Sequence, residues 1–377
     1  MTVLDPPEVR EAGAAAMLPS PEPLTLIDSP SGTGDLDDSV LLELYRQLVR
    51  GRRYNLQATA LTKQGRLAVY PSTSGQEACE AGAVLALADQ DWIFPTYRDT
   101  LALLVRGVDP VEVLTLLRGD WHGGYDPRER RVAPLCTPLA TQTLHAVGLA
   151  HAAALRGDDL VVLAMTGDGG TSEGDFHEAL NFAAVYRAPV VFFVQNNGYA
   201  ISVPVSRQSA APSLAHKAVG YGIPGVLVDG NDAAAVYHTV RQAVERARAG
   251  GGPTLVEAVT YRMDAHTNAD DATRYRDAAE VEFWRRRDPV DRMERHLRER
   301  GLLDDADVEH VRREAEEMAA ELRARLTDEP MPDALDLFEH VYARRTTQLE
   351  EQRAALIAEL ANEPAGRGDA GAEEAAL

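Results

Sequence analysis

Two short apolar runs without alternation, Leu160-Val161-Val162-Leu163-Ala164-Met165 and Val190-Val191-Phe192-Phe193-Val194, read as strands covered on both faces, the pattern of a parallel sheet. Between them Phe176, Leu180, Ala183, Ala184 and Tyr186 recur at near-helical spacing from Asp175 to Arg187, and Pro189 closes that segment. This is a β-α-β unit. A right-handed crossover brings the loops at 166–174 and 195–199 to one carboxyl end of the sheet, where open α/β folds bind ligands. Farther out, Leu41, Leu44, Tyr45 and Leu48 share one side of an amphipathic helix over 36–50. A charge-rich segment from Asp304 to Leu326 carries only a narrow stripe, Val311, Ala315, Met318 and Leu322, and reads as a surface helix. A further helix is expected over 346–360.

Turn residues and composition set the boundaries. Residues 1–35 are rich in proline, glycine and serine and are expected to form a mobile arm ending at Ser29-Pro30-Ser31-Gly32. No linker interrupts 36–330, which is expected to be one large α/β domain, followed by a helical extension over 331–362. The Ala, Gly, Glu and Asp tail over 363–377 is expected to be disordered.

Each loop of the β-α-β unit carries a polar signature, Gly167-Asp168-Gly169-Gly170 in the first and Asn196-Asn197 in the second. Magnesium requires about six oxygens in a near-octahedral shell and is usually held by one or two protein groups plus phosphate oxygens. Asp168 supplies a carboxylate and Asn197 a neutral amide oxygen, which together leave the ion enough positive field to bind a diphosphate. Gly167, Gly169 and Gly170 place no Cβ between backbone and phosphate. Either signature alone is ordinary turn punctuation, but the pair at matching strand ends points to a magnesium-bridged diphosphate. A Rossmann dinucleotide site would need Gly-x-Gly-x-x-Gly, and the sixth position here is Ser172.

With 38 basic against 59 acidic residues the net charge is −21, which argues against a nucleic-acid partner, because such binding needs lysine and arginine to neutralise phosphates. Two cysteines, Cys79 and Cys136, form neither a disulfide framework nor a metal-ligand spacing. No apolar run approaches the roughly 20 residues of a membrane helix, and the amino end has no signal-peptide pattern. The expectation is a cytoplasmic protein with no membrane partner.

From about Leu36 to about Arg353 the chain resembles the α subunit of the E1 component of 2-oxo acid dehydrogenase complexes. The branched-chain type is the nearer likeness, and pyruvate dehydrogenase E1α is its sibling. The likeness is carried in order by Tyr97-Arg98-Asp99, Pro138-Leu139-Ala140-Thr141-Gln142, Gly167 to Glu178, Asn196 to Ser202, Val228-Asp229-Gly230-Asn231-Asp232, and Thr260-Tyr261-Arg262 through His266 to Asp271 and Tyr275-Arg276. It implies a three-layer thiamine-diphosphate-binding fold, a mainly parallel sheet flanked by helices with helical extensions at both ends.

On these positions the resemblance implies Mg²⁺ ligation by the side chains of Asp168 and Asn197 and the backbone carbonyl of Tyr199. It implies diphosphate contacts from Tyr97 and Arg98, the latter through a planar fork matched to phosphate oxygens. Thr137 and Leu139 match positions on the aminopyrimidine side of the cofactor. His266 matches a catalytic histidine at the site mouth that contacts the cofactor and assists acylation of a lipoyl group, a role suited to a side chain that titrates near neutral pH. A potassium ion is implied near Cys136, Pro138, Thr141 and Gln142. The chain departs from the family pattern at Gln195, where relatives often carry an arginine, and at Cys136, where serine is usual. It also departs at Asp264-Ala265-His266-Thr267, where a second histidine is missing. Residues 121–124 match no family feature.

The implied activity is oxidative decarboxylation of 3-methyl-2-oxobutanoate and related 2-oxo acids, with the acyl group passed to lipoyl-E2. The implied partners are an E1 β subunit in an α2β2 heterotetramer, which supplies the missing pyrimidine-side carboxylate, and the lipoyl domain and core of E2. A pyruvate or acetoin dehydrogenase E1α is the enzymatic alternative. A metabolite-binding relative with a decayed site is the non-enzymatic one.

Overall fold

The computed structural model describes residues 17–29, 32–34, 36–120, 122–328 and 333–362. By their contacts they divide into a large unit, up to Gly119 and from Gly123 to Thr327, and a small one of 120–122 and 328 onward.

The large unit is built on a parallel sheet. In chain order its elements are β1 (Trp92–Phe94), β2 (Val162–Gly167), β3 (Val190–Asn196), a small antiparallel ladder of β4 (Tyr199–Ala200) with β5 (Val203–Pro204), then β6 (Gly225–Asp229) and β7 (Thr254–Val259). The sheet order is β1-β2-β3-β7-β6, with every neighbour parallel. Side chains alternate between faces along each strand. Leu163, Met165, Val191, Phe193, Val256 and Ala258 pack on one face, under the helices Glu77–Leu85 and Ala233–Arg246. Val162, Ala164, Phe192, Val194 and Leu255 pack on the other, under Thr141–Arg156 and Gly174–Tyr186. Two covered faces explain why the runs show no polar alternation.

A third apolar cluster joins the helix Asp38–Lys63 to Pro289–Glu299 and to Val308, Val311 and Ala315 of the helix Asp305–Asp328. The first of these runs well past the expected end at residue 50. It crosses Gly51, where a Cβ would collide with the Leu101 side chain, and buries Tyr54, Ala58 and Leu61 beyond. Packing against Leu101 overrides the low helix propensity of glycine.

The described part of the expected mobile arm is corrected. Leu24 bridges in parallel to Val228 on the β6 edge, and the amides of Leu26 and Ile27 donate to the buried carboxylate of Asp232 at 2.7 and 2.8 Å. Asp28 pairs with Arg292 at 2.8 Å. These bonds have no periodic sequence signature, so composition alone reads the segment as loose. Residues 1–16 of that arm, and the tail over 363–377, lie outside the described residues.

In the small unit Glu339, which caps the 3₁₀ turn Ala334–Phe338, pairs with Arg345 at 2.6 Å and with Arg353 of the helix Thr347–Asn362 at 3.7 Å. Among the described residues no helix is long and apolar enough to cross a membrane.

Phe192 is fully buried and meets Phe176 edge to face at 6.3 Å between ring centres, so it joins the sheet to the helix between the two polar loops. Phe192→Ala is expected to lower unfolding stability of the full chain by about 3–5 kcal/mol in a denaturant titration, the usual cost of emptying a closely packed aromatic site. A loss under about 1 kcal/mol would contradict the two-faced packing of β3.

Candidate active site

Strand register sets the site before any side chain does. Gly167 is in register with Gln195, Asn196 with Val259, and Asp229 also with Val259, so β2, β3, β7 and β6 all end on one edge. The loops that follow are stitched together. Thr260 N–H donates to the Asn196 carbonyl at 2.9 Å, Arg262 N–H to the Asn197 carbonyl at 3.3 Å, and Thr260 Oγ1 to Asn231 Oδ1 at 2.7 Å. Into this edge opens a cleft of about 220 Å³ walled by Tyr97, Arg98, Leu139, Gly167 to Gly170, Asn197, Tyr199 and His266.

Asp168 lies at the floor and is 1% exposed. Gln208 Nε2 donates to its Oδ2 at 2.7 Å, and no lysine or arginine among the described residues forms an ion pair with it. Burial raises its carboxyl pKa, and donation from Gln208 and nearby backbone, together with the charge of Arg262, opposes that rise only in part. Both polar loops line this one cleft. A buried carboxylate with no ion-pair partner is costly, and a metal ion removes the cost.

Two of the glycines have a tighter reason than phosphate access. A Cβ on Gly169 would lie 2.7 Å from Ala200 Cβ, and one on Gly170 would collide with Thr166 Oγ1. Both therefore let the loop after β2 fold down beside β4.

The orientation of Asn197 is fixed by a chain of amides. Asp99 accepts from Thr96 N–H at 2.6 Å and from Gln195 Nε2 at 2.6 Å. Gln195 Oε1 therefore faces Gln76 Nε2 at 3.1 Å, and Gln76 Oε1 accepts from Asn197 Nδ2 at 2.9 Å. An ionised carboxylate only accepts, so the polarity of the whole chain is set at Asp99. Asn197 Oδ1 is left with one partner, the Tyr199 N–H at 3.3 Å.

Around His266 the field is positive. Nδ1 faces Arg98 Nη2 at 3.0 Å and Arg262 Nη1 at 3.2 Å. Guanidinium groups only donate, so Nδ1 accepts and the ring proton sits on Nε2. Burial first, then the two arginines, lower the His266 pKa to about 4, so the ring is neutral at pH 7. Arg98 is held by the carbonyls of Ser72 and His266 at 2.8 and 3.1 Å. Arg262, 1% exposed, donates to Ile201 O at 2.7 Å and to Tyr199 O at 3.3 Å, and its Nε is buried with no partner among the described residues.

Most of the residues expected at the site meet in this cleft; Thr137, Cys136, Pro138, Thr141 and Gln142 are not among its walls. Thr137 is exposed. In the turn over 136–142, Cys136 Sγ–H donates to the Pro138 carbonyl at 3.1 Å and Thr141 Oγ1 to Asp175 at 3.2 Å. Gln142 donates to the Met165 carbonyl at 2.8 Å, and its Oε1 is buried without a partner among the described residues. Gln76, Asp99, Gln208 and Arg262 were given no role from sequence. Arg262 stands in a quoted motif, while Gln76 and Gln208 sit in polar stretches that carry no spacing signal.

The residues fit a diphosphate-bound divalent ion. One buried carboxylate without an ion pair, an amide oxygen turned by its own network and an orphaned arginine N–H converge on a cleft edged by glycine backbone. No cluster of three or more His, Cys, Asp or Glu that could hold a metal occurs among the described residues.

Residues 46–335 match the family model described as the dehydrogenase E1 component. The chain is 49% identical over 348 residues, 90% of its length and 95% of the relative's, to a Mycobacterium tuberculosis protein named 3-methyl-2-oxobutanoate dehydrogenase subunit alpha. It is 40% identical over 320 residues, 84% of its length and 86% of the relative's, to Staphylococcus aureus proteins named pyruvate dehydrogenase E1 component subunit alpha. A single family model over most of the chain, relatives that align nearly end to end, and a parallel-sheet fold with its polar loops on one edge lead to one assignment: the chain belongs to the dehydrogenase E1 component family.

Proposed function

We propose that this chain is the α subunit of a branched-chain 2-oxo acid dehydrogenase E1, acting on 3-methyl-2-oxobutanoate and related 2-oxo acids and passing the acyl group to lipoyl-E2. The observation that carries the reading is the unpaired, buried Asp168 in one cleft with Asn197. The substrate class is supported by the 49% relative's name. A pyruvate-specific E1α is the second reading, favoured by the 40% identity to proteins of that name.

In this reading Asp168, Asn197 and the Tyr199 carbonyl hold Mg²⁺, and the backbone of Gly167, Gly169 and Gly170 with Tyr97 and Arg98 holds the diphosphate. Arg262 Nε adds a further donor for a phosphate oxygen. Thiamine diphosphate, when bound, supplies the electron sink for decarboxylation. The chain's own residues then do three things. The amide chain from Asp99 keeps Asn197 Oδ1 turned to the metal position. Arg98 and Arg262 hold the His266 ring so that Nε2–H is the group offered to the mouth, where it assists lipoyl acylation. Leu139, and Thr137 on the exposed turn beside it, meet the aminopyrimidine side. The orphaned Gln142 Oε1 supports a K⁺ bound by the turn of Cys136, Pro138, Thr141 and Gln142. A β subunit completes the site in an α2β2 assembly, and the lipoyl domain and core of an E2 receive the product.

Turnover of the chain co-purified with its β partner is expected to be higher on 3-methyl-2-oxobutanoate than on pyruvate, read as kcat/KM. The reverse order selects the pyruvate reading. In the same complex Asp168→Ala is expected to abolish Mg²⁺-dependent binding of thiamine diphosphate in calorimetry, and unchanged affinity would remove the metal assignment. Asp168→Asn is also expected to raise the melting point of the cofactor-free chain, since it removes an uncompensated buried charge, a gain of roughly 1 kcal/mol at a strained functional position. His266, titrated by NMR in the cofactor-free full chain, is expected to protonate near 4. Its pKa is below the unfolded value of about 6.5, so the unfolded chain takes up the proton first. The contribution to stability is complete above about 6.5 and is lost as pH falls toward 4. A midpoint near 6.5 would mean that the ring is neither buried nor faced by Arg98 and Arg262 as described.

A further inference from the structure

We propose that Gln208 is a positioning residue for the divalent ion: it holds one oxygen of Asp168, leaves the other as the single carboxylate ligand, and so selects Mg²⁺ over a larger cation such as Ca²⁺. The inference rests on the magnesium–diphosphate reading above and adds to it a residue 40 positions from Asp168 that is not among the cleft's walls.

The hydrogen bonds of the Gln208 side chain carry it. Nε2 donates to Asp168 Oδ2 at 2.7 Å and to the Val203 carbonyl at 2.9 Å, so both amide hydrogens are engaged. These two acceptors decide which end of the amide is nitrogen, because the reversed amide would set an oxygen against a carboxylate and a carbonyl. Oε1 is then buried with no partner among the described residues. A side chain serving packing alone has no reason to bury an acceptor unpaired, and such groups collect where function sets the geometry.

The backbone beneath the carboxylate is held separately. Thr171 N–H and Oγ1–H both donate to the Asp168 carbonyl, at 3.1 and 2.7 Å. Lys217 Nζ in turn donates to the Thr171 carbonyl and Oγ1 at 2.7 and 2.9 Å. The main chain at Asp168 therefore does not depend on Gln208. What Gln208 fixes is the turn of the carboxylate plane about its last bond, a soft torsion without sharp staggered wells. Asp168 Oδ1 has no side-chain donor among the described residues.

The other end of Gln208 is tied to the second polar loop. Its N–H donates to the Val205 carbonyl at 2.9 Å, and Val205 N–H donates to the Gly198 carbonyl at 3.1 Å. Between them the β4–β5 ladder pairs Tyr199 with Pro204 and Ala200 with Val203. One amide thus reaches from the hairpin that begins at Tyr199 back to the loop after β2, and joins the two sets of proposed ligands. Ion size supplies the consequence. Mg²⁺ is small and demands near-ideal octahedral geometry, whereas Ca²⁺ accepts both oxygens of one carboxylate in a looser shell. With Oδ2 engaged, Asp168 binds through Oδ1 alone; released, the carboxylate can turn and chelate.

The test is calorimetric titration of thiamine diphosphate into the chain co-purified with its β partner, once in Mg²⁺ and once in Ca²⁺. The wild type is expected to bind more tightly in Mg²⁺. Gln208→Met keeps the length and removes the donors, and it is expected to weaken binding in Mg²⁺ about tenfold, the scale of a lost hydrogen bond to a charged group. Binding in Ca²⁺ is expected to weaken by less than about threefold, so the preference for Mg²⁺ falls. Gln208→Glu, isosteric and unable to donate when ionised, is expected to shift the preference in the same direction. Circular dichroism melts establish that each variant is folded. A packing role for Gln208 would weaken both ions alike. Equal loss in the two ions, tighter binding in Mg²⁺ than the wild type, or a wild type that does not prefer Mg²⁺ would overturn the proposal and leave the E1 reading intact. A wild type whose cofactor binding needs no divalent ion would overturn the metal assignment and the proposal together.

Discussion

A carboxylate withdrawn from water without an ion-pair partner among the described residues is the constraint on which the cleft depends. Asp168 is placed there by β2, whose residues are anchored on both faces by apolar packing, so the side chain cannot swing out to solvent without disrupting the strand end. The surrounding protein offers amide donors, led by Gln208, and the charge of Arg262 without an ion pair, which lessen the cost without cancelling it. The fold thus keeps a local electrostatic deficit at this edge, and the large apolar core behind it makes that tolerable.

The same edge is positive a few residues away. Arg98 and Arg262 converge on His266 and are bound mainly by neutral carbonyls, not by acids. A buried negative floor and a positive mouth suit a ligand that brings both a divalent ion and phosphate oxygens, because each half of the ligand meets the sign it needs. Neither half is satisfied by the protein alone. This separation of sign over a short span distinguishes the cleft from the many surface ion pairs elsewhere, such as Arg325–Asp109, in which both charges come from the chain.

How much of this was legible in the sequence follows from which forces have a period. The β2 and β3 runs, the helix between them, and the Asp168 and Asn197 loops could be read directly, because two-sided burial and turn chemistry leave local patterns. The helix Asp38–Lys63 was read short, since the contact that carries it across Gly51 comes from Leu101, far along the chain. The stitching of Leu24 to Asp28 onto β6 and Asp232 went unread for the same reason: backbone amides paired with a distant carboxylate leave no trace in composition. At the site, Tyr97, Arg98 and His266 came from resemblance, whereas Gln76, Gln208 and Arg262 emerged only from three-dimensional hydrogen bonding. Thr137, expected at the cleft, sits exposed on a turn outside its walls.

The row of amides running from Asp99 through Gln195 and Gln76 to Asn197 has a further implication. Because every link has a donor end and an acceptor end, the row possesses a direction, much as a line of dominoes can fall only one way once the first is pushed. An arginine at position 195 would break that direction, since it has donors and no acceptor. With glutamine there, the orientation of the Asn197 amide is relayed through neutral side chains from a single buried carboxylate, Asp99, whose ionisation sets the direction of the whole row.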